Sequence, residues 1–114
     1  MRRSLPIVVS LLLALLLALG PASAGASPKK VTIKGSLGLY KFKPQNVTIT
    51  KGHRVSWSWD SDAEHNVKFG KKLDGKHSKT AAQVSDFTIK FKKAGTFKYK
   101  CTVHGFTGKV VVES

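Results

Sequence analysis

The sequence is short of the residues that commonly brace a small domain. Its 114 residues include one cysteine, Cys101, so no disulfide can form within the chain. The same scarcity excludes zinc sites built on two or four cysteines. The only methionine is Met1, which leaves a processed chain without a thioether for a metal. Acidic residues are few: 6 Asp+Glu stand against 20 Lys+Arg, a formal net charge of +14. Such an excess attracts anionic partners. The longest apolar run, Ile7 to Leu19 broken only by Ser10, falls short of the ~17–25 residues that span a bilayer.

That run has another reading. Arg2 and Arg3 precede it, and Gly20-Pro21 end it. Ala22-Ser23-Ala24 and Ala24-Gly25-Ala26 are both small-residue cleavage triplets. Charged start, apolar middle and small-residue end together read as a secretory signal peptide over residues 1–26, cut after Ala24 or Ala26. Residues 20–28 read as linker. What remains is one exported domain, residues 27–114, periplasmic or extracellular and expected to be a monomer. With no disulfide, a domain of this size needs a well-packed core or a bound ligand.

The remaining chain alternates apolar and polar residues with period two. Val31-Thr32-Ile33-Lys34, Tyr40-Lys41-Phe42-Lys43, Val47-Thr48-Ile49-Thr50 and Val55-Ser56-Trp57-Ser58-Trp59 all do so. His65 to Phe69, Phe87 to Phe91, Phe97 to Cys101 and Lys109 to Val112 continue the pattern. Period two places one face in a core and the other in water. Many short strands separated by turns indicate an all-β sandwich or barrel. Only Ala81-Ala82-Gln83-Val84 hints at a helical turn. Asp60 to Glu64 reads as an acidic loop where the chain reverses before a strand starting at His65. Lys90, Lys92, Lys98 and Lys100 fall on the wet faces of two neighbouring strand candidates. They serve either as solubilising, edge-protecting charge or as a docking surface for an acidic partner.

Cys101 ends a strand pattern, in Cys101-Thr102-Val103-His104. A lone cysteine in an exported chain is a buried apolar residue, a reactive thiol or a metal ligand. His104, three residues on, lies before a Gly-rich turn, and a strand end with its loop can fold both side chains onto one point. His65 follows the acidic segment. One thiolate and two imidazoles form a His₂Cys set, which suits copper: thiolate is soft enough for Cu(I), and imidazole serves Cu(II). His53 follows Gly52 in a turn and His77 lies in a lysine-rich loop; both read as solvated. Trp57 and Trp59 share one strand face and read as core. Asn46-Val47-Thr48 is a short glycosylation sequon.

Taken with their flanking strands, these segments resemble the cupredoxin family, the small blue copper proteins of the plastocyanin and amicyanin kind. Phe42-x-Pro44, Val47-Thr48-Ile49 and Gly52-x-x-Val55-x-Trp57 are similar to the strand framework ahead of the first ligand. Glu64-His65-Asn66-Val67 resembles the first-ligand motif. Tyr99-Lys100-Cys101-Thr102-Val103-His104 with Gly108-Lys109-Val110 resembles the ligand loop. The resemblance implies a Greek-key β-sandwich of about seven to eight strands. It also implies one copper per chain, Cu⁺ or Cu²⁺, on His65, Cys101 and His104. Asn66 would tie the first-ligand segment to Thr102 and hold the ligands still across the redox change.

One feature departs from that pattern. The family's axial methionine falls between the second histidine and the Gly-x-Val strand, where this chain reads His104-Gly105-Phe106-Thr107-Gly108. Phe106 takes the place counting back from Gly108, and Thr107 counting forward from His104. A three-coordinate site would have a raised potential; an oxygen from Glu64, a glycine or a nearby carbonyl would be the alternative axial donor. The leading functional reading is a one-electron carrier serving an acidic redox partner through the exposed edge of His104. A copper storage or delivery protein on the same fold comes second, and a cationic binding module with a lost site third. No nucleophile with a base is visible, so no enzyme is expected. Nucleic acid is not an expected partner, since export removes the chain from it and the aromatics alternate into the core.

Overall fold

The structure is a computed structural model that describes residues 26–114; the expected signal peptide and its cleavage triplets lie outside those residues, save Ala26. Eight strands form among the described residues: β1 (Lys29–Ser36), β2 (Leu39–Lys43), β3 (Asn46–Thr50), β4 (Arg54–His65), β5 (Lys68–Phe69), β6 (Ala81–Lys90), β7 (Gly95–Lys100) and β8 (Thr107–Glu113). They make two four-stranded sheets, β2-β1-β4-β6 and β3-β8-β7-β5. A single 3₁₀ turn, Lys71–Leu73, is the one helical element among the described residues.

The period-two pattern explains the layering. Val31 and Ile33 of β1 and Val55, Trp57 and Trp59 of β4 are buried from one sheet. Val47 and Ile49 of β3, Phe97 and Tyr99 of β7, and Val110 and Val112 of β8 are buried from the other. Trp57 is fully buried, its ring 5.3 Å from Tyr99 and 5.6 Å from Phe69, both edge-on. Each such side chain contributes about 1.5–3 kcal/mol by leaving water. The aromatic core therefore supplies what disulfides would otherwise add.

The first and last connections are local. Leu37 and Gly38, both at positive φ, turn β1 into β2 with Ser36 facing Leu39. That is the turn geometry whose twist matches paired strands. β7 and β8 pair antiparallel across the short segment after Cys101. Between them the chain passes from sheet to sheet, leaving β1 parallel to β4 and β3 parallel to β8.

Three expectations from the sequence are corrected. Asp60 to Glu64 is not a reversing loop: β4 continues through it, and His65 ends β4 instead of opening the next strand. The ladder absorbs the acidic residues as a bulge, with Ser61 to Glu64 standing opposite Ala82 alone, between the pairs Asp60↔Gln83 and His65↔Ala81. Ala81 to Val84 is strand, not a helical turn, because it pairs with this far half of β4. The four lysines do not share neighbouring strands. Lys90 belongs to β6 and Lys92 to the segment after it, whereas Lys98 and Lys100 lie on β7 in the opposite sheet.

Candidate metal centre

The ends of β4 and β7 meet at one end of the sandwich. His65 closes β4 and is fully buried; Cys101 follows β7 and is fully buried; His104 lies in the next turn and is exposed. Cys101 Sγ is 3.9 Å from His65 Nδ1 and 4.0 Å from His104 Nδ1. One ligand atom from each of the three side chains lies within 4.8 Å of the other two. First-row metals bind nitrogen and sulfur at about 2.0–2.3 Å, so atoms spaced this way can share one ion. The donor set fits a single copper: one soft sulfur and two imidazole nitrogens.

The backbone fixes this spacing. Cys101 N–H donates to Phe106 carbonyl oxygen at 2.9 Å, and Gly105 N–H donates to Cys101 carbonyl oxygen at 2.8 Å. The segment from Cys101 to Phe106 therefore closes on itself, with Gly105 at φ 83 making the turn. Asn66, just past His65, reaches across to the same segment. Thr102 N–H donates to Asn66 Oδ1 at 2.8 Å, and Asn66 Nδ2 donates to Thr102 Oγ1 at 2.8 Å and Thr80 Oγ1 at 2.9 Å.

Ser61, on the β4 bulge, sets the orientation of His65. Its Oγ lies 2.9 Å from His65 Nε2 and donates its one proton to Asp62 Oδ1 at 3.3 Å. When Nδ1 serves as a metal ligand the ring proton sits on Nε2, and Ser61 Oγ is placed to accept it. Burial holds the His65 imidazole below its ordinary pKa; the nearby His104 adds to this and Asp62 opposes it. Both effects favour the neutral ring that a metal needs.

Aromatic rings close the inner side. Phe106 packs 4.6 Å from Phe42, 5.7 Å from His65 and 6.4 Å from His104, ring centre to ring centre. Tyr40 lies 4.5 Å from His65 and 4.7 Å from His104. Its hydroxyl donates to Asp62 Oδ1 at 2.7 Å, and Leu37 N–H donates to Asp62 Oδ2 at 3.1 Å. The bond to Asp62 raises the Tyr40 pKa and lowers that of Asp62. Asp62 thus pins the β1–β2 turn against the end of β4.

The structure brings His65, Cys101 and His104 together, with Asn66 and Thr102 bonded beside them. Of the two residues considered for the axial place, the Phe106 ring lies among the site's aromatics, while Thr107 is exposed at the start of β8 opposite Lys100. His53 and His77 are exposed, and neither belongs to the three-residue group. Sequence reading missed Ser61, Tyr40 and Asp62. Ser61 and Asp62 had no local signal, since their segment becomes strand only by pairing with β6. Tyr40 had none, because it meets Asp62 only when two distant strands pack.

Comparison with known proteins agrees. A sequence profile described as copper binding proteins, plastocyanin/azurin family, matches residues 29–113. Amicyanin from Paracoccus versutus is 32% identical over 97 residues, covering 82% of this chain and 73% of amicyanin. The chloroplastic plastocyanin of Tetradesmus obliquus is 30% identical over 100 residues, covering 77% and 69%. Among solved structures, a point mutant of amicyanin in its Cu(I) form superposes with a TM-score of 0.62 at 28% identity, covering 81% of this chain and 88% of that one. A purple cupredoxin from Nitrosopumilus maritimus superposes with a TM-score of 0.64 at 23% identity, covering 75% and 99%, and supports the fold. The chain belongs to the plastocyanin/azurin family of copper-binding proteins, the cupredoxins.

Proposed function

We propose that this chain is an exported one-electron carrier whose copper is held by His65, Cys101 and His104, with no methionine ligand. Copper in such a donor set alternates between Cu(I) and Cu(II), taking up one electron and giving it back. The observation that carries the reading is the approach of two imidazole Nδ1 atoms to one thiol sulfur, at 3.9 and 4.0 Å.

The chain's own residues serve that task in distinct ways. Ser61 keeps the His65 nitrogen free of its proton. Asn66 and Thr102 hold the two halves of the site in one geometry, so little rearrangement accompanies a change of charge. Phe106, Phe42 and Tyr40 keep water from the inner side. Phe106 replaces a thioether with a hydrocarbon ring, which leaves three donors and raises the potential. His104 offers its exposed edge to a soluble redox partner of acidic character, reached by a monomeric carrier in the periplasm or outside the cell. The long-range attraction of the basic chain speeds that encounter at low salt.

The test is a Cu(II) titration followed by visible absorption, with Cys101→Ser as control. An intense blue thiolate-to-copper band, absent from the control, is the expected result. Rapid bleaching would mark a protein that handles Cu(I) for storage or delivery, and absence of binding would overturn the reading. Redox titration of Phe106→Met then examines the axial place. A potential below that of the unaltered protein is expected, and an equal or higher one would count against three donors.

A further inference from the structure

The outer face of the β3-β8-β7-β5 sheet carries a lysine cluster that solubility and edge protection do not account for. Strand pairing sets Lys98 opposite Lys109 and Lys100 opposite Lys68. Like charges directly across a ladder repel and weaken the sheet. Lys68 lies on an edge strand, and Lys98 on the part of β7 that the two-residue β5 leaves uncovered, but Lys100 and Lys109 lie on strand segments paired on both sides, where no edge needs protection. The four side chains border an open cleft of ≈ 830 Å³ in which no lining residue is acidic. Gly108 lines it beside Lys109, and Thr102, next to Cys101, lines it beyond the end of β7.

We propose that this cleft seats an extended acidic segment of the redox partner, with carboxylates on alternate residues. The inference rests on the carrier reading and adds to it the place and form of the contact. Lys98 and Lys100 are two residues apart on one strand face, about 6.6 Å along the chain. An extended segment of the form Glu-x-Glu repeats its carboxylates at that same interval. Laid along β7, it meets both cross-strand lysine pairs and relieves the repulsion within each. Its end at Thr102 brings the partner beside the segment that carries Cys101 and His104. A membrane surface is flat and fits an open cleft poorly, and rows of carboxylates answer the paired lysines better than isolated headgroups.

The experiment uses the copper-loaded protein, reduced, and the blocked peptide of three Glu-Thr repeats as probe. Expected are amide shifts at residues 68–70, 98–102 and 107–109 in ¹⁵N–¹H spectra. Lys98→Glu/Lys100→Glu is expected to weaken peptide binding by about tenfold or more at low salt. Lys51→Glu/Lys92→Glu changes charge equally at the other end of the sandwich and is expected to weaken it by less than about threefold. The neutral pair Lys98→Gln/Lys100→Gln gives the same ranking if the glutamates disturb folding. Because each new glutamate faces a lysine, the first variant is also expected to melt at a higher temperature. Equal losses in the two glutamate variants, shifts elsewhere, or cleft-dependent binding to phosphatidylglycerol vesicles without peptide binding would overturn the proposal. The copper titration is independent of these readouts. A blue protein that ignores the peptide sinks the cleft alone, and a colourless one that binds it sinks the carrier alone.

Discussion

Asn66 and Thr102 exchange two hydrogen bonds, backbone N–H to side-chain oxygen and side-chain N–H to hydroxyl, each 2.8 Å long. They stand 36 residues apart and join the two sheets at the end where His65 and Cys101 meet. Asn66 is buried, so neither half of its amide can turn to water instead. Asn66 makes three such bonds, to Thr80 and Thr102, each worth about 0.5–1.5 kcal/mol, whereas the Thr102 hydroxyl takes part in one. Asn66→Ala is therefore expected to lower unfolding free energy by about 2–4 kcal/mol, and Thr102→Val by about 1 kcal/mol. Denaturant melts of the two variants measure this. Equal, small losses would mean that the pair does not tie the sheets.

Tyr40 predicts a separation between ring and hydroxyl. Its ring touches both histidines, while its hydroxyl holds Asp62. Tyr40→Phe keeps the ring and is expected to cost about 1 kcal/mol or less, since the bond is exposed. Tyr40→Ala opens the site and is expected to speed loss of bound copper to a chelator about tenfold more than Tyr40→Phe does. Similar chelator rates in the two variants would show that the ring does not shield the site.

Gly108 predicts a steric failure. A Cβ there would lie 2.6 Å from Tyr99 Cζ and hydroxyl and 2.8 Å from Gln45 carbonyl oxygen. Gly108→Ala is expected to destabilise by about 1–3 kcal/mol, as overpacking does. Tyr99→Phe removes the hydroxyl but leaves Cζ, so the double variant should recover part of the loss. Full additivity of the two substitutions in a thermodynamic cycle would place the clash elsewhere.

Tyr99 also predicts an alkaline limb. Burial pushes its phenol up to about 12 from 10.0; the Trp57 N–H lies near enough to oppose this but makes no hydrogen bond to it. The neutral form is favoured in the folded state, so its contribution is complete below pH 10. The unfolded chain ionises first, and the contribution fades as pH rises from 10 toward 12. The difference amounts to about 2–3 kcal/mol. Its hydroxyl has no hydrogen-bond partner, so Tyr99→Phe is expected to match or exceed the unaltered protein at pH 8. The variant should also hold its stability over the alkaline interval better than the unaltered protein does. Parallel stability–pH curves for the two would refute the assignment.

Much of this was legible in the chain itself. Alternation at Val31–Lys34, Val47–Thr50 and Val55–Trp59 gave strands because only period two buries one face and wets the other. The Cys101–His104 spacing alone was a weak signal; its place between the Phe97–Cys101 and Gly108–Val112 strand patterns, and the resemblance these carry, suggested a ligand loop. The scarcity of cysteine and methionine set limits that no fold can alter: no disulfide, and no thioether beyond Met1. The positive charge was likewise fixed by composition.

Packing decided the rest. Alternation stops at Trp59, so nothing local announced that β4 continues through an acidic bulge to His65; pairing with β6 decides that. Lys98 and Lys100 are two positions apart in the chain, but their opposition to Lys109 and Lys68 exists only through strand register. Tyr40 joins His65, His104 and Asp62 because the β1–β2 turn folds over the end of β4. Short-range pattern records what a residue prefers within its own element, and which element lies beside it is settled by burial and hydrogen bonding over the whole sandwich.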